Sequence, residues 1–136
     1  MKTLLMIFAI SVTTLLASCA GTMQTYEGSE LPPEKVAVIK AGSIDLFNSA
    51  TVHAVDGVES GFNIVNAVVL PGEHLIQIRP YKFTGIASYW AYRTVVLNAE
   101  AGHTYIALGK IIDEETIYAW IEDAETGLVV AGTKPD

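Results

Sequence analysis

The stretch IYAWIEDAETGLVVA, residues 117–131, decides how this chain must fold. Ile117 to Glu122 is a run of β-branched and aromatic residues, the types that fit a pleated surface. It stops at Asp123-Ala124-Glu125-Thr126-Gly127, where a type I turn closed by a glycine in the left-handed region reverses the chain. Leu128 to Ala131 then returns antiparallel to it, so the reading is a β-hairpin.

Working outward toward the N-terminus, short apolar runs alternate with turn residues throughout. His103 to Ile112 leads into the hairpin through Asp113-Glu114-Glu115, and is itself reached through Asn98-Ala99-Glu100-Ala101-Gly102. Ser88 to Leu97 is the longest strand expected. Its two faces, Trp90, Tyr92 and Val96 against Tyr89, Ala91, Val95 and Leu97, are both largely apolar, which predicts a central strand covered on both sides. Tyr81 to Ile86 contains Gly85 and reads as a loop or an irregular edge. His74 to Arg79 alternates, with His74, Ile76 and Ile78 on one face. Phe62 to Leu70 is an apolar strand ended by Pro71-Gly72, and Thr51 to Val55 ends at Asp56-Gly57, a pair suited to positive φ in a tight turn. Val36 to Lys40 is the first strand. Ala41-Gly42-Ser43 follows as a turn, Ile44 to Phe47 as a brief strand, and Asn48-Ser49 as another turn.

No segment carries a helical period of useful length, so the fold class is all-β. Eight or so strands joined by tight turns predict a single antiparallel β-sandwich over residues 36–136.

The N-terminal part reads differently. Lys2 gives a positive start, Leu4 to Leu16 an apolar segment too short to span a bilayer as a helix, and Ala17 and Ser18 small residues before Cys19. This is the layout of a secretory signal peptide over residues 1–18. Leu16-Ala17-Ser18-Cys19 resembles the lipobox of bacterial lipoproteins. That resemblance implies cleavage before Cys19, a diacylglycerol on its thiol and acylation of the new amino terminus. Each buried methylene adds about 0.8 kcal/mol of membrane affinity, so several chains together make a stable anchor. Ala20 stands where the family's inner-membrane retention signal would place an aspartate, which implies the outer membrane; the domain is expected to face the periplasm first, with the cell exterior as the alternative. Residues 19–35, the lipidated end and AGTMQTYEGSELPPEK, mix small, polar and proline residues and read as a tether.

Charge narrows the partners. The chain carries 8 basic and 15 acidic residues, a formal charge of −7. Removing the leader with Lys2 takes the basic count from 8 to 7 and the charge to −8. Such a surface repels nucleic acid and anionic headgroups, so contact with the membrane is expected through the lipid alone.

Two further resemblances concern the domain. Val55-Asp56-Gly57, then Leu70-Pro71-Gly72-Glu73-His74 and Ile76, resembles the core of a PEGA-type domain, a small β-rich module with an immunoglobulin-like sandwich. Glu59-Ser60-Gly61-Phe62 departs from that family's pattern, which has a glycine, threonine and proline there. Ala101-Gly102-His103-Thr104-Tyr105, with Trp120-Ile121-Glu122-Asp123 and Thr126-Gly127, is similar to the ending of many small bacterial lipoproteins. Both likenesses imply an envelope location, and neither brings catalytic residues.

Chemistry has few footholds in this sequence. There is no glycine-flanked serine elbow, Cys19 is committed to lipid, and no glycine cluster opens a helix, so the expectation is a protein that is not an enzyme and needs no cofactor. His53, His74 and His103 each stand near a glycine-containing turn. Gathered at one rim, they would bind zinc or copper or hold a small ligand, which is the alternative function; no ligand-like spacing joins them. The carboxylate groups Asp113-Glu114-Glu115 and Glu122-Asp123-Glu125 read as solvated turn charges. Tyr81, Phe83, Tyr89, Trp90 and Tyr92 form the aromatic group of interest. The core reading claims most of it, while Tyr81 and Phe83 are the residues expected to meet a protein or an envelope polymer.

Overall fold

The computed structural model describes residues 21–61 and 66–136. The expected signal peptide, residues 1–18, and Cys19 lie outside the described residues, as does the start of the expected Phe62–Leu70 strand. Eleven strands occur among the described residues: β1 (Thr22–Gln24), β2 (Ala37–Ser43), β3 (Asn48–Val55), β4 (Val58–Glu59), β5 (Asn66–Val69), β6 (Gly72–Phe83), β7 (Ser88–Trp90), β8 (Arg93–Ala99), β9 (Thr104–Ile111), β10 (Ile117–Asp123) and β11 (Val129–Gly132). A single 3-10 turn at Pro33–Lys35 precedes β2.

The strands form one continuous sheet in the order β11-β10-β9-β2-β3-β6-β7, with β5 also on β2, β1 on β5, β4 on β3 and β8 on β6. Most pairings are antiparallel, but β1 runs parallel to β5 and β2 parallel to β9. A mixed, curled sheet therefore stands where an antiparallel sandwich was expected. The curl is made by β2, whose first half lies between β5 and β9 while Gly42 and Ser43 pair with β3. Gly42 is required at that crossing. A Cβ there would meet Leu108 Cδ2 at 2.8 Å and the Ala107 carbonyl oxygen at 2.9 Å.

Curling brings β3 and β6 over β9, and the core fills the space between them. Period-two alternation supplies it. β6 buries Ile76, Ile78 and Pro80, β8 buries Val95, Leu97 and Ala99, and β2 buries Ala37 and Ile39. Each large aliphatic side chain so placed contributes about 1.5–3 kcal/mol over its exposed state.

The turns follow their chemistry. Asp56 and Gly57 both have positive φ, 50° and 82°, and join β3 to β4 with Val55 opposite Val58, the two-residue hairpin that Asp-Gly favours. The β10–β11 turn closes as its sequence indicates. Gly127 has φ 73° and donates its N–H to the Asp123 carbonyl at 2.8 Å, while Asp123 donates to Leu128 at 2.9 Å.

Several expectations are corrected. Residues 22–25 do not hang free as a tether: β1 adds to the sheet, and Thr25 donates to the Val68 carbonyl from both N–H and hydroxyl, at 3.1 and 2.9 Å. The strand and turn expected over residues 41–47 exchange places. β2 runs through Ala41-Gly42-Ser43, and Ile44 to Phe47 is the turn, because Asp45 Oδ1 accepts the N–H groups of Phe47 and Asn48, each at 2.8 Å. Tyr81 to Phe83 continues β6 instead of forming a loop.

Ser88 to Leu97 is an edge, not a central strand. It pairs only with β6 among the described residues, and divides at Ala91-Tyr92 into β7 and β8. Its register is unbroken across the division. Ala91 donates its N–H to the Pro80 carbonyl at 3.1 Å, and Pro80 has no N–H to return the bond.

Candidate ligand-binding cleft and aromatic face

The β6–β7 hairpin builds the candidate site. Its turn is held by Thr84, which donates its N–H to the Ala87 carbonyl at 3.0 Å and accepts the Ala87 N–H on its hydroxyl at 3.1 Å. Alternation then sorts the arms. Tyr81 stands opposite Trp90 on the outer face, and Lys82 opposite Tyr89 on the face toward β9.

On the outer face Phe83 is 42% exposed, Trp90 54% and Tyr92 42%. Tyr81 is partly covered, and its hydroxyl bonds Ser88 Oγ at 2.8 Å. Arg79 lies 5.5 Å from the centre of the Trp90 ring, within cation–π range. His53, on β3, meets Tyr92 at 4.7 Å between ring centres. The expectation that Tyr81 and Phe83 reach the surface therefore understates the patch, since Trp90 and Tyr92, assigned to the core, share it.

On the inner side the two layers separate past Pro80 and leave a cleft of about 650 Å³. One wall is Lys82, Tyr89 and Ala91, with Trp90 at the rim. The other is the β9–β10 loop, with Ile111, Ile112 and Ile117 beside Asp113 and Glu114. Lys82 Nζ donates to the Ile111 carbonyl at 3.2 Å and ties the walls together. Asp113 Oδ1 accepts the N–H groups of Glu115 and Thr116 at 2.9 and 2.7 Å, which fixes the loop. Those bonds, Glu115 first, hold the Asp113 carboxyl below its ordinary range. Here the sequence signal was partial. Tyr89, Trp90 and the Asp113-Glu114-Glu115 group stand out in the chain, but nothing there joins them, and Lys82 and the isoleucines carry no mark of their own.

The structure keeps the three histidines apart, each with its own carboxylate. His53 lies 3.7 Å from Glu59. His74 sits between Asp56, at 2.6 Å, and the Leu70 carbonyl oxygen, at 2.7 Å. Partial burial of Asp56 opposes its charge, but bonds from His74 and the Leu75 N–H outweigh that and lower its pKa. His103 bonds Asp123 at 2.8 Å through Nδ1 and reaches Glu100 at 3.2 Å through Nε2. Among the described residues no three His, Cys, Asp or Glu side chains are placed to hold a metal ion.

The His103–Asp123 pair locks the β8–β9 turn to the β10–β11 hairpin. Asp123 also accepts the N–H groups of Glu125 and Thr126 on Oδ1, at 2.9 and 3.2 Å. The Asp123 bond, aided by the Glu100 charge, raises the His103 pKa, and the His103 bond lowers that of Asp123. A histidine raised in the folded state stabilises fully below its unfolded value of about 6.5, and that gain disappears as pH rises through the higher folded value. A lowered aspartate loses its gain as pH falls through the folded value, below about 3.8. The pair thus works best between about pH 4 and pH 6.5. Urea midpoints are expected to fall between pH 5.5 and pH 8.5 by more in the wild type than in His103→Gln. Equal falls would show that the pair is not linked to folding.

No family model matches the chain, and no significant match to it was found among curated proteins or solved structures.

Proposed function

We propose that the chain is a lipid-anchored protein of the bacterial envelope, in which Cys19 carries the lipid and the β domain is a non-enzymatic binding module. The observation that carries the binding role is the aromatic face of β6, β7 and β8. Phe83, Trp90 and Tyr92 are left on the surface of a folded domain. Exposed aromatics grouped in this way mark interaction sites, because each combines a large apolar area with little conformational freedom to lose. The anchoring role rests on the order of residues from Lys2 to Cys19. Ala20 supports an outer-membrane placement, and a net charge of −7 favours a protein or an uncharged envelope polymer over nucleic acid.

Two measurements test the reading. Mass spectrometry of the native N-terminal peptide is expected to show a diacylglyceryl group on Cys19. An unmodified thiol, or a mature end downstream of it, would sink the anchor. Anchored protein recovered from envelopes with the Tyr81→Ala/Phe83→Ala pair is expected to lose its partner by about tenfold or more, the scale of aromatic hot spots. Unchanged recovery would remove that patch.

A further inference from the structure

The cleft between β6–β7 and the β9–β10 loop opens on the opposite side of the hairpin from Tyr81 and Phe83, shares only Trp90, at its rim, with the aromatic face, and carries its own chemistry. Its walls are apolar, from Ile111, Ile117, Tyr89 and Ala91, yet it holds charges of both signs. Lys82 stands on one wall, and Asp113 and Glu114 on the other.

Among the described residues none of the three is neutralised. Every Asp and Glu of the chain lies among the described residues, and none is within ion-pair distance of Lys82; the ion pairs found involve His53, His74, His103 and Lys134 only. Lys82 uses one donor on the Ile111 carbonyl, and an ammonium has three. Asp113 is occupied at Oδ1 by the loop backbone. The Thr116 hydroxyl also bonds this carboxylate, but a carboxylate has about four acceptor positions, so Asp113 keeps acceptor capacity for a ligand alongside the Glu114 carboxylate.

We propose that this cleft binds a small apolar zwitterion, a molecule bearing one ammonium and one carboxylate on an apolar body. The carboxylate pairs with Lys82 and the ammonium with Asp113 and Glu114, while the apolar part lies against Ile111, Ile117 and Tyr89. A free apolar amino acid and a short apolar peptide share this chemistry. The volume suits either, since small-molecule sites span about 300–1,000 Å³. A chain of net charge −7 would repel a simple anion, whereas a zwitterion meets no such penalty.

Calorimetric titration of the full chain tests this with four probes: phenylalanine, the dipeptide Leu-Leu, 2-phenylethylamine and 3-phenylpropionate. At least one of the first two is expected to bind about tenfold or more tighter than either singly charged compound, as charge-assisted bonds at both ends require. Which of the two wins identifies the source. Lys82→Met is expected to reduce zwitterion binding to the level of the amine. Glu114→Gln, on the exposed rim, is expected to weaken the zwitterion and the amine together, and it reports on the site even if Lys82→Met fails to fold. Absence of zwitterion binding overturns the proposal, as does an amine that binds equally well. Binding indifferent to Glu114→Gln and Tyr89→Ala would also overturn it. The partner recovered through Tyr81 and Phe83 is a separate readout, so failure here leaves the role of the outer face standing.

Discussion

Replacing Trp120 by alanine is expected to lower the stability of the domain by about 3–5 kcal/mol, the cost of emptying a large buried aromatic site. Trp120 is 1% exposed and heads the fully buried side chains of the core. Its Nε1–H donates to Glu122 Oε2 at 2.7 Å, and Lys134 approaches that same carboxylate at 3.8 Å. The truncation removes the packing of β10 and one partner of Glu122 together. A domain of this size has about 5–15 kcal/mol in total, so the loss takes a large share of it. Trp90→Ala is the internal comparison. With that ring 54% exposed, the change is expected to cost less than about 1 kcal/mol, the range of surface substitutions. Urea unfolding followed by circular dichroism separates the two. Equal midpoints would mean that the two tryptophans do not differ in burial, and a lower midpoint for Trp90→Ala would mean that their burial is the reverse of this assignment.

That contrast also shows where the sequence stops being informative. Asp56-Gly57 and Asp123 to Gly127 were legible because a turn is a local matter: positive φ and a capping carboxylate decide it within five residues. Alternation in His74 to Arg79 was legible for the same reason, and Ile76 and Ile78 are buried as it indicates. Position within the sheet is not local. Ser88 to Leu97 is apolar on both faces, which reads as central, yet it lies at an edge where Trp90, Tyr92 and Val96 face outward. An edge strand with an apolar outer face and a buried strand have the same sequence pattern. What distinguishes them is which strands pair, and pairing such as β2 with β9 joins residues more than sixty positions apart.

The cleft was hidden in the same way. Its aromatic wall comes from a hairpin near residue 85 and its acidic wall from a loop near residue 114, and only the curl through Gly42 sets one against the other. Asp45 gives the opposite lesson. Its capping of Phe47 and Asn48 overrode a short apolar run, Ile44 to Phe47, that had the composition of a strand. Three residues of apolar propensity weigh less than a carboxylate that satisfies two backbone donors at once.

The second large effect is expected at Gly109, where propensity and packing give opposite answers. Gly109 is in the interior of β9, and by strand propensity a β-branched residue there should stabilise the sheet. Packing forbids it. A Cβ at Gly109 would stand 2.7 Å from Pro80 Cβ, 2.8 Å from Pro80 Cγ and 3.1 Å from Pro80 Cα. The obstacle is a rigid ring fixed to backbone, in a strand paired on both sides, so it cannot rotate out of the way. The two layers must part instead. Gly109→Ala is expected to cost about 1–3 kcal/mol, the usual range for overfilling a core, and Gly109→Val more than that. If Pro80 is the cause, the two sites must be coupled. In Pro80→Gly, which removes the ring, Gly109→Ala is expected to cost at least about 1 kcal/mol less than in the wild type, well above the scatter of independent sites. Denaturation midpoints of the four proteins close this cycle. Additive losses would place the strain elsewhere, and a stabilised Gly109→Val would show that the layers are not pressed together at this point.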